Sequence, residues 1–203
     1  MTNSDPREPD APLQVYLVRH GQTEWSLSGQ HTGRTDIALT PQGEDEARAL
    51  QPSFRGLTFS HVLTSPRQRA RQTAALVGLG AQAAVEPDLA EWDYGDYDGL
   101  RSVEIRAMRP GWNIVRDGCP NGESPAQITA RADRLAAKLS ALSGPVAVFT
   151  HGHFGRCLAA RWIGLDLTAV QNLLLGTACY GVLGYDPGHP ENRVIARWNI
   201  AVA

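Results

Sequence analysis

The chain has 203 residues, 42% of them hydrophobic and 20% charged, and a formal net charge of −2. That length suits one sizeable domain with a real core. The charge balance excludes a disordered chain and provides no broad field toward nucleic acid or anionic lipid.

The cations are lopsided, with Lys138 the only lysine and arginine supplying the rest. Genomic codon bias explains most of these arginines, and only a few are read as bidentate oxyanion binders. Cys119, Cys157 and Cys179 are odd in number and widely spaced, which predicts a reducing compartment and no disulfide framework. Residues 1–12 are polar, acidic and proline-containing. They read as a disordered tail and not as a signal peptide. No window reaches the ~18 consecutive apolar residues of a membrane span. The expectation is a cytoplasmic protein with no membrane partner.

QVYLV, residues 14–18, reads as a short buried strand followed by a glycine-dotted loop through Leu39. Thr40 and Pro41 pair an N-cap hydroxyl with proline at the first helical position, predicting a helix to about Leu50. HVLT (61–64) is a second strand, with a helix expected from Pro66 through RQRARQTAALV. AAVEPDL (83–89) is expected to hold a third strand, and 91–122 reads as a Gly-, Pro-, Trp- and Asp-rich segment with one short helix near 101–109. Ser124, Pro125 and Gln127 form a capping-box start for a long helix to about Leu142. VAVFT (146–150) is a strand, HGHFGR leads into a helix through Trp162, and a short helix is expected near 168–175. Residues 178–185 and 193–201 close the chain as a hairpin of strands. This alternation predicts an α/β fold over 13–203, with three α/β/α layers and a mostly parallel central sheet. The terminal strands offer an edge on which a second copy could pair as a homo-oligomer.

In such a sheet, ligands bind beyond the carboxyl ends of the strands. After 14–18 come Arg19, His20 and Gly21. After 61–64 come Ser65, Pro66, Arg67, Gln68 and Arg69. After 146–150 come His151, Gly152 and His153. None of these three ends delivers a carboxylate. The segment after 83–89 delivers Glu91, Asp93, Asp96 and Asp98. A basic pocket with one acidic wall suits a phosphoryl group, which arginine forks hold bidentately. A neutral imidazole can attack phosphorus, and a carboxylic acid can protonate the leaving oxygen and then activate water. Two arginines and two histidines neutralise the group, so neither metal nor other cofactor is expected. Gly21 is expected to let the backbone turn away so that the His20 ring faces the pocket.

VRHGQTEW, TSPRQRARQTA, EWDYGDYDG and THGHFGR, in this order, resemble the histidine phosphatase superfamily, the phosphoglycerate-mutase-like fold. The resemblance covers about 14–162. It implies that His20 is the phosphorylated nucleophile, that Arg19 and Arg69 bind the phosphoryl group, that His151 is the second pocket histidine, and that Glu91 is the proton donor. Arg69 is chosen over Arg67 because it directly precedes the alanine of the RAxxT pattern. The fuller strings RHGQTEWSLSGQHTGRTD and WNIVRDGCPNGE look most like the sedoheptulose-1,7-bisphosphatase branch. The family's mutases usually carry asparagine where this chain has Ser26 and His153, which favours net hydrolysis. The bisphosphatase branch has tyrosine where this chain has His31. The expected activity is therefore a metal-independent phosphomonoesterase for small phosphorylated metabolites, sugar phosphates or bisphosphates. The alternatives are a phosphoglycerate mutase and a catalytically silent phosphate-sensing or protein-binding module.

Other residues keep two readings. Thr23, His31, Tyr94 and Gly152 are candidates for the substrate side of the pocket. Ser65 either donates a hydroxyl to the phosphoryl group or caps the helix expected from Pro66. Arg156 either binds a distal phosphate or forms a surface ion pair. Arg67 can touch phosphate, whereas Arg71 reads as a solvated face. Trp25, Trp92 and Trp112 fall in loops near the expected mouth. His151 and His153 make a His-x-His pair, but no third ligand sits at metal spacing.

Overall fold

The computed structural model describes residues 12–202; the tail expected over 1–12 lies outside them except for Pro12. The elements in chain order are β1 (Gln14–Arg19), α1 (Glu24–Ser28), α2 (Pro41–Ala49), α3 (Gln51–Phe54), β2 (His61–Thr64), α4 (Gln68–Leu76), β3 (Ala83–Val85), α5 (Ser102–Met108), α6 (Ile114–Asp117), α7 (Pro125–Ser140), β4 (Pro145–Thr150), α8 (Gly152–Trp162), β5 (Tyr180–Tyr185) and β6 (Arg193–Ile200). The strands form one six-stranded sheet in the order β3-β2-β4-β1-β5-β6. β3, β2, β4 and β1 pair parallel, and β5 joins antiparallel to both β1 and β6. The sheet is mostly parallel, as expected, and its last two strands are the expected hairpin.

Strand residues alternate between two cores, because successive side chains leave opposite faces. Val146 and Val148 of β4 join Val15 and Leu17 of β1 with Ile128, Leu135 and Leu139 of α7 and Leu158 of α8. Ala147 and Phe149 join Val18 with Leu50, Phe54, Ala70 and Ala74 on the other side. Helices α7 and α8 therefore cover one face, and α2 to α4 the other. α7 starts as read, with Ser124 Oγ accepting from Gln127 N and the Gln127 side chain reaching back to Ser124 N.

Several elements differ from the reading. The loop after β1 contains α1, a single turn closed by a Thr23–Ser26 capping box and burying no side chain. Without an apolar stripe it leaves no periodic signal. The third strand stops at Val85. Pro87 has no N–H for the ladder, and Glu86 instead caps a short 3-10 turn over Pro87–Leu89. The helix after β2 begins at Gln68, not Pro66, where the Gln68 N–H is capped by Asp36 Oδ1 at 2.8 Å. The helix expected near 168–175 is a 3-10 turn over Leu167–Asn172. β5 begins at Tyr180 because Ala178 sits at φ 47°, outside strand geometry.

Gly21 is required for a different reason from the one expected. Its φ is not in the left-handed region. A Cβ at Gly21 would lie 2.2 Å from the Gly43 carbonyl oxygen, and one at Gly43 would lie 2.1 Å from the Gln22 carbonyl oxygen. The turn after β1 and the first turn of α2 meet backbone to backbone.

Candidate active site

Register builds the centre of the site. Arg19 at the end of β1 pairs with Thr150 at the end of β4, so the next residues, His20 and His151, emerge side by side. Their ring centroids are 5.2 Å apart in an edge-on arrangement. His20 Nδ1 lies 2.7 Å from the Gly21 carbonyl oxygen. A carbonyl can only accept, so Nδ1 carries the proton and the lone pair is on Nε2. The same reasoning fixes His151. Arg69 Nε donates to His151 Nδ1 at 3.2 Å, which leaves the ring proton on Nε2, 2.7 Å from Ser65 Oγ.

Burial pushes the His20 pKa well below the ordinary histidine value, and the positive charges of Arg69 and Arg19 push it further. His151 is held well below for the same reasons, burial first and then Arg69. Both rings are therefore neutral near pH 7. The guanidinium groups of Arg19 and Arg69 are also shifted down by burial, with Glu91 acting in the opposite sense; arginine stays charged regardless.

Arg69 is wholly buried. Its Nη2 donates to Thr32 O at 2.9 Å and its Nη1 to Thr35 O at 3.1 Å, tying helix α4 to the loop before α2. Arg19 donates from Nη1 to Leu175 O at 2.6 Å, while its buried Nε has no partner among the described residues. Its guanidinium lies against Gly152, where an added Cβ would come within 3.3 Å of Arg19 Cζ.

Glu91 sits at the N-terminus of α8. Its Oε1 accepts from Trp92 N at 2.8 Å and Phe154 N at 2.7 Å, and its Oε2 from His153 N at 3.0 Å. Oε2 thus keeps the larger unused accepting capacity. The wall behind Glu91 is the 91–122 segment, pinned by Trp92, Tyr94, Ile105 and Trp112, all buried. Asp98 ties this wall to the opposite loop, accepting from Gly33 N at 2.8 Å and from Thr35 N at 3.0 Å.

These parts enclose a cavity of about 190 Å³ whose walls include Arg19, His20, His31, Glu91, Tyr94 and Gly152. A second cavity of about 240 Å³ adjoins it, sharing His31 and His153 and reaching Arg106 and Arg156. Of the residues named from sequence, Arg19, His20, His31, Glu91, Tyr94 and Gly152 line the first cavity and Arg156 the second. Arg69, His151, Thr23 and Ser65 lie behind the cavity wall, fully buried. Thr23 is not on the substrate side in this structure: its hydroxyl accepts from Ser26 N at 3.1 Å and caps α1. Ser65 neither lines the cavity nor caps a helix at Pro66. It meets His151 and accepts from Arg67 N at 3.2 Å. Arg156 makes no ion pair among the described residues, and its Nε donates to Gly152 O at 2.9 Å. Arg71 is exposed, as read. Trp25 and Trp112 line the cavities, while Trp92 is core.

The His-x-His pair does not converge on a common point. Both nitrogens of His151 are engaged by Arg69 and Ser65, and His153 Nδ1 is 2.7 Å from the Tyr94 hydroxyl. Among the described residues no cluster of three or more His, Cys, Asp or Glu is arranged to hold a metal. Sequence reasoning missed Ser26, Gln30 and Thr32 in the cavity wall. It also missed the support given by Asp98, whose partners are distant in the chain. Thr73 stood within the quoted RARQT string without a role; its Oγ1 accepts from Gly21 N at 3.1 Å and locks the turn that carries His20.

Comparison with known proteins agrees with this geometry. The family model described as histidine phosphatase superfamily (branch 1) matches residues 15–200. An acid phosphatase of Mycobacterium tuberculosis is 40% identical over 179 residues, covering 86% of this chain and 88% of that protein. The sedoheptulose 1,7-bisphosphatase of Saccharomyces cerevisiae is 41% identical over 191 residues, covering 78% and 70%. A solved structure of an open-reading-frame product from Mycobacterium tuberculosis superposes with a TM-score of 0.86 at 37% identity, covering 94% of this chain and 98% of that one.

Proposed function

The chain belongs to the histidine phosphatase superfamily, branch 1, and from that premise we propose that it is a hydrolase, a phosphomonoesterase working through a phosphohistidine on His20. The observation that carries the reading is the Gly21 carbonyl bond to His20 Nδ1, which leaves the Nε2 lone pair of a neutral imidazole beside Arg19 and Glu91 in one cavity. His20 Nε2 attacks phosphorus as the ester P–O bond breaks. Arg19 and the fixed charge of Arg69 balance the negative charge on the phosphoryl oxygens. The leaving oxygen takes a proton from Glu91, assigned to Oε2. In the second step Glu91 removes a proton from water as the water attacks the phosphohistidine, restoring His20 and releasing phosphate. The arginines supply the positive charge a metal would otherwise bring, so turnover is expected to survive a chelator. His151 fills the space beside His20, and Arg69 holds its orientation.

The paired cavities support one substrate class. Small-molecule sites commonly span ~300–1,000 Å³, and the first cavity at about 190 Å³ falls short alone. The second, lined by Arg106 and Arg156 and by no carboxylate, extends the site in the right direction for a second anionic group. A sugar bisphosphate, with one phosphate on His20 and the other near Arg156, fits this layout. The name of the yeast relative points the same way.

Phosphate release by purified protein in the presence of chelator tests the reading across sedoheptulose 1,7-bisphosphate, fructose 1,6-bisphosphate, fructose 6-phosphate, 3-phosphoglycerate and an aryl phosphate. The sugar bisphosphates should lead, and Arg156→Ala should cost them about 10- to 100-fold in kcat/KM, far more than it costs the aryl phosphate. Equal losses on both would remove the distal-phosphate role, and net conversion of 3-phosphoglycerate to 2-phosphoglycerate with a bisphosphoglycerate primer would replace hydrolysis with mutase chemistry.

A further inference from the structure

Arg19 is positioned through a single peptide unit. The Leu175 carbonyl accepts from Arg19 Nη1 at 2.6 Å, and the N–H of the same peptide plane, on Gly176, donates to Asn199 Oδ1 at 2.8 Å. In a trans peptide these two groups lie in one rigid plane and point in opposite directions. Asn199 therefore grips one end of the plane that holds Arg19 at the other. The 173–179 segment, LLLGTAC, carries no charge. Arg19 is thus held on this side by a neutral carbonyl, which leaves its positive charge available to an anion, where a carboxylate partner would cancel it.

The backbone around Asn199 is irregular. Tyr180 pairs with Ile200 and Val182 with Arg197, so Gly181 alone faces both Trp198 and Asn199, a β-bulge in β6. Bulges beside active sites re-aim side chains. Asn199 sits at φ 53°, in the left-handed region, a conformation that asparagine tolerates better than most residues. Trp198 packs on Gly181, where a Cβ would lie 2.6 Å from its ring. Ala178 is also left-handed, at φ 47°, and donates its N–H to His20 O at 3.1 Å. Two left-handed non-glycine residues, one within the loop and one in β6 against it, thus shape the segment that reaches both Arg19 and His20.

We propose that Asn199 is a positioning residue for phosphoryl binding, fixing Arg19 through the Leu175–Gly176 peptide. The proposal rests on the reading of Arg19 as a phosphoryl ligand. Asn199 touches neither phosphate nor water in the reaction; it sets the angle at which Arg19 meets the phosphoryl group.

The test uses orthovanadate, a mimic of the transferring phosphoryl group, together with aryl phosphate kinetics. Asn199→Gly keeps the left-handed backbone and removes only the acceptor. It should weaken orthovanadate inhibition about 5- to 10-fold, with a matching loss in kcat/KM and a Tm near that of the wild type. Asn199→Asp retains an acceptor and should recover most of the affinity. In an Arg19→Ala background, itself weaker by on the order of 10²-fold, Asn199→Gly should add nothing. Wild-type orthovanadate affinity in Asn199→Gly would overturn the proposal, as would an undiminished loss in the Arg19→Ala background. Should Asn199→Gly fail to fold, Asn199→Ser, whose hydroxyl is too short to reach Gly176, is held to the same expectations. Unchanged orthovanadate affinity in Arg19→Ala alone would instead refute the phosphoryl role of Arg19, a separate failure.

Discussion

The nucleophilic role proposed for His20 requires a neutral ring, and its surroundings keep it so. Burial comes first, and Arg69 and Arg19 add to it. The free-enzyme profile of kcat/KM against pH should therefore show no loss near the ordinary histidine value of about 6.5, and activity should persist below it. An acid limb centred at 6.5 would contradict the electrostatic account. The same burial has a cost in stability, whose sign follows from proton linkage. A histidine whose folded pKa is depressed binds fewer protons folded than unfolded. Its contribution is complete above about 6.5 and is lost as pH falls toward the folded value. His31 is the clearest case, lowered to about 4 by burial, with Arg106 and Arg156 adding and Asp98 opposing. The wild-type Tm should fall between pH 6.5 and about 4. His31→Tyr, which removes this one titration, should fall less steeply over the same window. Identical slopes would show that His31 does not titrate as described.

At the scale of elements, the contact between the turn after β1 and the start of α2 decides where His20 points. Gly43→Ala would place a methyl 2.1 Å from the Gln22 carbonyl oxygen. The backbone must shift, at about 1–3 kcal/mol, and thermal unfolding should register it together with a loss of kcat larger than the rise in KM. A variant with wild-type Tm and kcat would mean that this approach is not rigid. The N-cap at Thr40 and the proline at 41 could be read directly from sequence, but the reason for Gly43 could not, since its partner is 21 residues away. Legibility followed local signals throughout. β1, β2, β4 and α7 announced themselves by apolar runs or a capping box. α1 and α6 are a single turn each and carry no stripe to read. β3 lies within AAVEPDL as expected, but its end was not legible there, because the ladder stops ahead of Pro87. In the site, Arg19, His20, Glu91 and His151 were legible because each follows a strand end or a motif. Asp98 and Asn199 were not, because each acts across a distance that only the folded sheet closes.

At the scale of the whole molecule, the parallel part of the sheet collects its chemistry at one edge. Helices cover both faces, and the three chain segments that follow the carboxyl ends of β1, β2 and β4, far apart in sequence, converge beyond those ends. The antiparallel pair β5–β6 closes the other side of the site through the 173–179 loop and Asn199. Two adjoining cavities lie at that end of the sheet, one around His20 and one around Arg156, and the proposed substrate with two anionic ends rests on this layout. The central claim is that the reaction passes through a covalent bond between His20 and phosphorus. The most direct measurement is rapid quenching of the enzyme with substrate radiolabelled at the transferred phosphorus, followed by recovery of the protein. The wild type should carry a label that is lost in acid and kept in alkali, as a phosphorus–nitrogen bond requires, and His20→Ala should carry none and lose turnover by at least on the order of 10³-fold. A label that survives acid, or full labelling of His20→Ala, would contradict the account.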